Sequence, residues 1–317
     1  MITIELLGKP TRVCKSKKTQ KGTSKNPSRH AEHVSKPTRY KEIADQVRND
    51  VSGKSVVFRS TQKGLHQRMV ALGICVIVPT YNNQKSLPAV LDDILQYTSS
   101  VIAVNDGSTD NTREILRIYA GRIDVVSYMP NRGKGYALSA GFKRAEELGY
   151  RKAITIDSDG QHLVSEMALF VEMAEKNPEV LLIGQRTTQG DMPAKNNFAN
   201  KFSNFWFAVQ TAYRLNDTQN GFRLYPLSTM KGMRPFTSRY EAEIELLVRS
   251  AWKGIRIIPV PTHVYYPPEG ERITHFRPGK DFFRISLLNT CLTLLAFVYG
   301  YPSMFFHRFR KIHLQSR

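Results

Sequence analysis

Along the chain, short unbroken apolar runs alternate with stretches of helical spacing from about residue 74 onward. Ile74-Cys75-Val76-Ile77-Val78-Pro79 is apolar throughout, as a parallel strand buried on both faces requires. Residues 87–95 repeat apolar positions at helical spacing, with Pro88 in a first turn where it is tolerated. Val101-Ile102-Ala103-Val104 predicts a second strand, 111–120 a helix, 125–128 a third strand, 136–148 a helix and 153–156 a fourth strand. A helix at 166–176 and a strand at 180–183 follow, then a polar loop at 185–195 read as mobile. After it come an aromatic-rich helix at 198–213, a polar turn entering a short strand at 217–225, a helix at 240–252 and a strand at 255–261. This alternation predicts a Rossmann-like α/β fold, a mostly parallel sheet with flanking helices, and ligands outside the carboxyl ends of its strands.

The flanks differ in texture. Residues 1–70 are basic, polar and almost without aromatics, and predict a disordered arm that cannot bury enough apolar surface to offset ordering entropy. A short amphipathic piece at 40–47 reads as helical. The arm is either a solvated tail or a segment attracted to anionic lipid or nucleic acid. Near the other end, 285–301 is apolar apart from Ser286, Asn289, Thr290 and Thr293. Those four share one helical stripe, continued by Ala296 and Gly300. At about 17 residues the run sits at the short limit for a bilayer span. Lys280 and Arg284 precede it, and His307, Arg308, Arg310 and Lys311 follow, so charge gives no direction of crossing. An interfacial helix, or a small-residue stripe packed on another helix, is the expected form; a buried core helix is the alternative. The expected organisation is an arm at 1–70, an α/β domain at 71–265, and a basic loop with a C-terminal amphipathic, membrane-associated helix at 266–317. Arg272, His275 and Arg277 in that loop are placed to meet a lipid phosphate or anionic headgroups.

Charge and cysteines narrow the setting. A net charge of +19 over 317 residues points to an anionic partner: nucleic acid, an anionic membrane or a phosphorylated substrate. Cys14, Cys75 and Cys291 are odd in number and widely spaced, which suits a reducing compartment and no disulfide framework. The N-terminus has no signal-peptide run, so secretion by that route is not expected.

The candidate chemistry lies at the strand ends. Ile154-Thr155-Ile156-Asp157-Ser158-Asp159-Gly160-Gln161-His162 carries a buried strand into two carboxylates at i, i+2, then a glycine and an amide. Hard divalent cations take a few carboxylates and leave positions for water or phosphate, so this is a candidate metal site for a diphosphate; a polar strand-to-turn junction is the plain alternative. Asp106, in Val104-Asn105-Asp106-Gly107-Ser108-Thr109-Asp110, ends another strand and turns the pair into a crevice. Asn131-Arg132-Gly133-Lys134-Gly135 precedes a helix, where glycines and backbone N–H groups can approach an anion and Lys134 can meet a diphosphate.

These motifs, with Ile77-Val78-Pro79-Thr80-Tyr81-Asn82 before them, occur in the order and spacing of the family 2 glycosyltransferases. Residues 217–225 add a resemblance to the dolichol-phosphate mannose synthase-like branch, and the likeness covers about residues 74–265. It implies a GT-A fold, a nucleotide-sugar donor, Mg²⁺ or Mn²⁺, and inverting transfer. By the same resemblance Pro79, Tyr81 and Asp106 line the nucleoside pocket, and Asp157, Asp159 and Gln161 hold the metal. Arg186 and Arg223 contact phosphate, with Arg223 counted in the catalytic set, and Asp217 is the candidate base. The family patterns are Tyr-Asn-Glu and Asp-Asp-Gly-Ser; here Asn83 and Asn105 replace a carboxylate in each, leaving the donor's base open. Glu241 and Glu243 resemble a further acidic pair of the branch but read as helix-surface charge. The leading expectation is a membrane-associated enzyme on the cytoplasmic face, transferring sugar to a polyprenyl phosphate or other lipid-linked acceptor. Transfer to a sugar or lipid hydroxyl in envelope polysaccharide or glycolipid synthesis is the alternative. A basic nucleic-acid-binding protein is the reading from another class, and nucleic acid is not expected as a partner.

Overall fold

A computed structural model describes residues 55–187, 194–266 and 278–315. Its sheet has seven strands: β1 (Ile74–Thr80), β2 (Val101–Asp106), β3 (Asp124–Tyr128), β4 (Lys152–Thr155), β5 (Val180–Arg186), β6 (Arg223–Tyr225) and β7 (Arg256–Thr262). Their order is β3-β2-β1-β4-β6-β5-β7. Every neighbouring pair is parallel except those of β6, which runs antiparallel to both β4 and β5. The helices are α1 (Ser55–Leu72), α2 (Leu87–Leu95), α3 (Thr112–Tyr119), α4 (Lys134–Glu147), α5 (Met167–Lys176), α6 (Ala194–Thr211) and α7 (Glu241–Trp252). Then α8 (Pro278–Leu295) runs through a π-helical turn (Ala296–Gly300) into α9 (Tyr301–Gln315).

β1, β2 and β4 are buried along their whole length, which is why they read as unbroken apolar runs. Successive residues face opposite layers. Val76, Val78, Ala103 and Ile154 pack with Leu91, Ile94 and Phe170 on one side. Ile77, Ile102, Val104 and Ala153 pack with Leu138, Phe142, Leu246 and Leu247 on the other.

One expectation changes. α1 extends back into the region read as a disordered arm: Leu65 and Met69 enter the core, and Arg68 pairs with Glu175 of α5 at 2.6 Å. The proposed helix at 40–47 lies outside the described residues, as do positions 188–193 of the polar loop and Arg272, His275 and Arg277.

The C-terminal helices dock through a mixed face, with Asn289, Thr293, Leu292 and Ala296 turned inward, and leave large apolar side chains outward. Gln210 of α6 donates to the backbone carbonyl and side-chain oxygen of Asn289 and to Thr293 Oγ1. A Cβ on Gly300 would stand 2.5 Å from the indole nitrogen of Trp252. The stripe of Asn289, Thr293, Ala296 and Gly300 is therefore the docking face. Phe283, Leu287, Leu294, Phe297, Val298, Phe305 and Phe306 are exposed instead. Phe283–Arg308 is long and apolar enough to cross a membrane by length and composition, with mean hydropathy 1.4.

Candidate active site

The candidate site lies at the carboxyl ends of β2, β1 and β4, and Ser158, the residue between the two aspartates, ties it to the β1 loop. Ser158 Oγ donates to the Pro79 carbonyl at 3.0 Å and accepts from Asn83 Nδ2 at 2.6 Å, while Ser86 Oγ donates to the Ser158 carbonyl at 2.6 Å. Pro79 thus serves the site through its backbone. Asn83, where the family has a carboxylate, supplies an amide donor. Tyr81 is half-buried beside Asn82, whose side-chain carbonyl accepts the Thr109 N–H and joins the β1 and β2 loops.

Asp157 and Asp159 emerge from this turn. Lys134 Nζ, at the first position of α4, lies 2.8 Å from Asp157 Oδ1 and 2.9 Å from Glu243 Oε2 of α7. Burial alone would push the Asp157 carboxyl up, but Lys134, His162 and Arg223 together hold it below the usual range. Burial and the neighbouring Asp157 charge push Asp159 up to about 6. Two carboxylates close together in a shielded setting, one with raised proton affinity, form a donor set that fits a hard divalent cation. Water and phosphate would have to supply its remaining ligands, since no cluster of three or more His, Cys, Asp or Glu side chains forms among the described residues. Gln161 holds the turn through its backbone: its N–H donates to Asp159 Oδ1 and its carbonyl accepts from Tyr265. Gly221 walls the other side, since a Cβ there would stand 2.4 Å from Asp157 Oδ2. Burial holds His162 down at about 4, so it is neutral beside this pair at physiological pH.

Several residues perform tasks that their motifs did not suggest. Asp106 was expected to hold the nucleoside. Its carboxylate accepts instead from the Arg132 and Gly133 N–H groups at 2.7 and 2.8 Å and from Asn131 Nδ2 at 2.8 Å, bracing the loop that carries Lys134. The glycines of that loop make room for protein rather than for an anion. A Cβ on Gly133 would meet the Ser238 carbonyl at 2.5 Å, and one on Gly135 would meet Ala242 at 2.3 Å. The Tyr136 N–H is already taken by Ser238. Arg223 was expected to contact phosphate, but it is fully buried. It donates to the backbone carbonyls of Asn220, Glu243 and Thr218 at 2.7, 2.8 and 2.9 Å, tying the 217–221 loop to α7 from behind.

Arg186 and Asp217 meet at the end of β5. Arg186 Nε lies 2.7 Å from Asp217 Oδ2, and its NH1 donates to the Tyr266 hydroxyl at 2.6 Å. The candidate base is therefore a buried, ion-paired carboxylate. Glu241 and Glu243, expected on a helix surface, are buried: Glu241 pairs with Arg284 of α8 at 2.7 Å, and Glu243 holds Lys134. Their burial follows from tertiary packing of α7 and leaves no local signal. Along α6, a groove of about 690 Å³ lined by Lys201, Phe205, Ala208, Val209 and Arg214 reaches Asn216, the neighbour of Asp217.

The chain is 26% identical over 239 residues to a UDP-N-acetylglucosamine–dolichyl-phosphate N-acetylglucosaminyltransferase of Methanococcus voltae, covering 68% of this chain and 95% of that one. It is 28% identical over 209 residues to a dolichyl-phosphate beta-glucosyltransferase of Trichomonas vaginalis, spanning 58% of this chain and 63% of that protein. Among solved structures, glucosyl-3-phosphoglycerate synthase from Mycobacterium tuberculosis, in complex with Mn²⁺, uridine diphosphate and phosphoglyceric acid, shares the fold. The TM-score is 0.55 at 20% identity, covering 74% of this chain and 81% of that one. The profile of Glycosyl transferase family 2 matches residues 75–236, which contain the strand-end loops, the Asp-Ser-Asp turn, Arg186 and Asp217 described above. The chain belongs to that family, and it is a glycosyltransferase.

Proposed function

We propose that the protein transfers a sugar, with inversion, from a nucleoside-diphosphate sugar to a polyprenyl phosphate at the cytoplasmic face of a membrane. The observation that carries this reading is the Asp157–Asp159 turn, with Lys134 beside it, at the mouth of the parallel sheet. Both relatives described above are named for dolichyl-phosphate acceptors, and the fold neighbour was crystallised with Mn²⁺ and a uridine nucleotide. Mg²⁺ or Mn²⁺ held by Asp157 and Asp159 would neutralise charge on the departing nucleotide. Lys134 adds a second positive charge to the same region, and Ser158 holds both carboxylates in register. Tyr81 and Pro79 border the nucleoside side of the crevice. Gln161 completes the turn.

Asp217 bears on the acceptor. Its carboxylate is buried and already engaged by the Arg186 guanidinium at 2.7 Å, which leaves it poorly placed to meet an acceptor hydroxyl. A phosphate acceptor brings its own charged nucleophile and needs a cation, for which Arg186 is suited. The groove along α6, with an apolar wall and Lys201 and Arg214 at its rim, supports a lipid-linked acceptor. So does the outward apolar face of α8 and α9.

The test is transfer of labelled sugar to polyprenyl phosphate in vesicles containing the purified protein and Mn²⁺. Asp157→Asn and Asp159→Asn are expected to lower label in the lipid by about a thousandfold. Asp217→Asn is expected to cost less than about tenfold if the acceptor is phosphate, against about 10² or more if Asp217 serves as general base to a hydroxyl. No lipid-linked label with any nucleotide sugar would overturn the reading.

A further inference from the structure

The ammonium of Lys134 sits on the carboxylate that would hold the metal. It lies 2.8 and 3.0 Å from the two oxygens of Asp157 and 2.9 Å from Glu243 Oε2. Lys134 and Glu243 are largely enclosed, and Gly221 lies against Asp157 Oδ2, while the Asp157 side chain itself keeps a 26% exposed edge. In so shielded a setting an ammonium and a divalent cation on one carboxylate repel strongly. A cation arriving alone must therefore expel Lys134. A cation arriving with a diphosphate finds the ammonium a new anionic partner, and Glu243 keeps it within reach.

We propose that Lys134 is a resident counter-ion that withholds Asp157 from a divalent cation until a diphosphate draws it away, with Glu243 as the positioning residue that tethers it. This rests on reading Asp157 as a metal ligand. Metal and donor then bind as a linked pair, and each raises the affinity of the other by the same factor. After transfer, departure of the nucleotide returns Lys134 to Asp157 and loosens the metal. No covalent bond changes in this exchange.

The readout is Mn²⁺ binding by electron paramagnetic resonance, on folded full-length protein without sugar donor. The wild type is expected to bind Mn²⁺ alone weakly, and at least about tenfold more tightly when uridine diphosphate is present, after correction for Mn²⁺–nucleotide complexes in solution. Lys134→Gln is expected to bind Mn²⁺ alone at least about tenfold more tightly than wild type, and Lys134→Gln/Asp157→Asn to lose that gain. Glu243→Gln, which leaves the ammonium to Asp157 alone, is expected to weaken Mn²⁺ binding in the presence of uridine diphosphate; a purely structural role would move the melting temperature and not this affinity. Equal or weaker Mn²⁺ binding by Lys134→Gln, or a gain that survives loss of Asp157, would overturn the proposal. Should Lys134→Gln fail to fold, wild-type Mn²⁺ binding that is indifferent to uridine diphosphate would overturn it equally. Undiminished metal-dependent nucleotide release by Asp157→Asn would be a different failure, that of the metal assignment itself.

Discussion

A methyl group at residue 221 would stand 2.4 Å from Asp157 Oδ2, so Gly221→Ala has to displace the carboxylate or the loop. Displacement by about 1 Å at a reacting centre costs about a hundredfold in rate. Gly221→Ala is expected to lose that much nucleotide release while its melting temperature moves by only a few degrees, checked by steady-state kinetics beside thermal melts. Arg223 predicts the opposite pattern. Replacing it with Met strands three buried backbone carbonyls, each costing about 1–3 kcal/mol when left unsatisfied, so urea unfolding should show a loss of at least about 3 kcal/mol. Local sequence showed which residue types matter but not where they point. The Asp-Ser-Asp turn was visible less from the pair itself, which also suits a plain strand-to-turn junction, than from the ordered motifs around it. Arg223 was misread because its partners include a carbonyl of α7, which only the folded chain brings near. Glu243 was read as surface charge because a glutamate in the first turn of a helix looks the same whether it faces water or a lysine.

Among the elements, α3 carries a test of charge. Asp110 accepts from the Thr112 and Gln84 N–H groups and so anchors the helix start to the β1 loop. Burial pushes its carboxyl up, but the Thr112 and Gln84 donors hold it below the usual range. A folded value below the unfolded one means that its stabilisation is complete above the ordinary carboxylate range and is lost as pH falls through the folded value. Asp110→Ala should cost about 1 kcal/mol near neutral pH and flatten the acid limb of stability below about pH 4, read from denaturant melts across pH. At the C-terminal helices, Phe297 and Val298 are 65% and 80% exposed. Changing both to Asp should leave the melting temperature within a few degrees and lower binding to anionic vesicles severalfold in a sedimentation assay. The small-and-polar stripe was readable in the sequence as one of two docking forms, whereas its partners, Gln210 and Trp252, were not. α1 escaped notice because Leu65 stands among polar and basic residues and Met69 falls at the edge of the region read as an arm.

For the whole molecule, β1, β2 and β4 were legible because burial on both faces leaves few polar positions to interrupt the run. The antiparallel insertion of β6 was not. Three residues carry no directional signal, and the reversal follows from the 217–221 loop being folded back under Arg223. α1 belongs to this scale as well. A chain beginning at residue 71 forfeits Leu65, Met69 and the Arg68–Glu175 pair. It should melt well below one beginning at residue 55, since burying two such side chains is worth about 4 kcal/mol or more.

The join between α7 and the π-helical turn has an optical consequence. The chain has two tryptophans, Trp206 and Trp252. Trp252 donates its indole N–H to the Gln210 carbonyl at 2.8 Å, and Gly300 lies against its ring. In a Trp206→Phe background, fluorescence would come from the indole wedged between domain and C-terminal helix. Blue emission would mark the docked arrangement, and a red shift on adding detergent or vesicles would time its release.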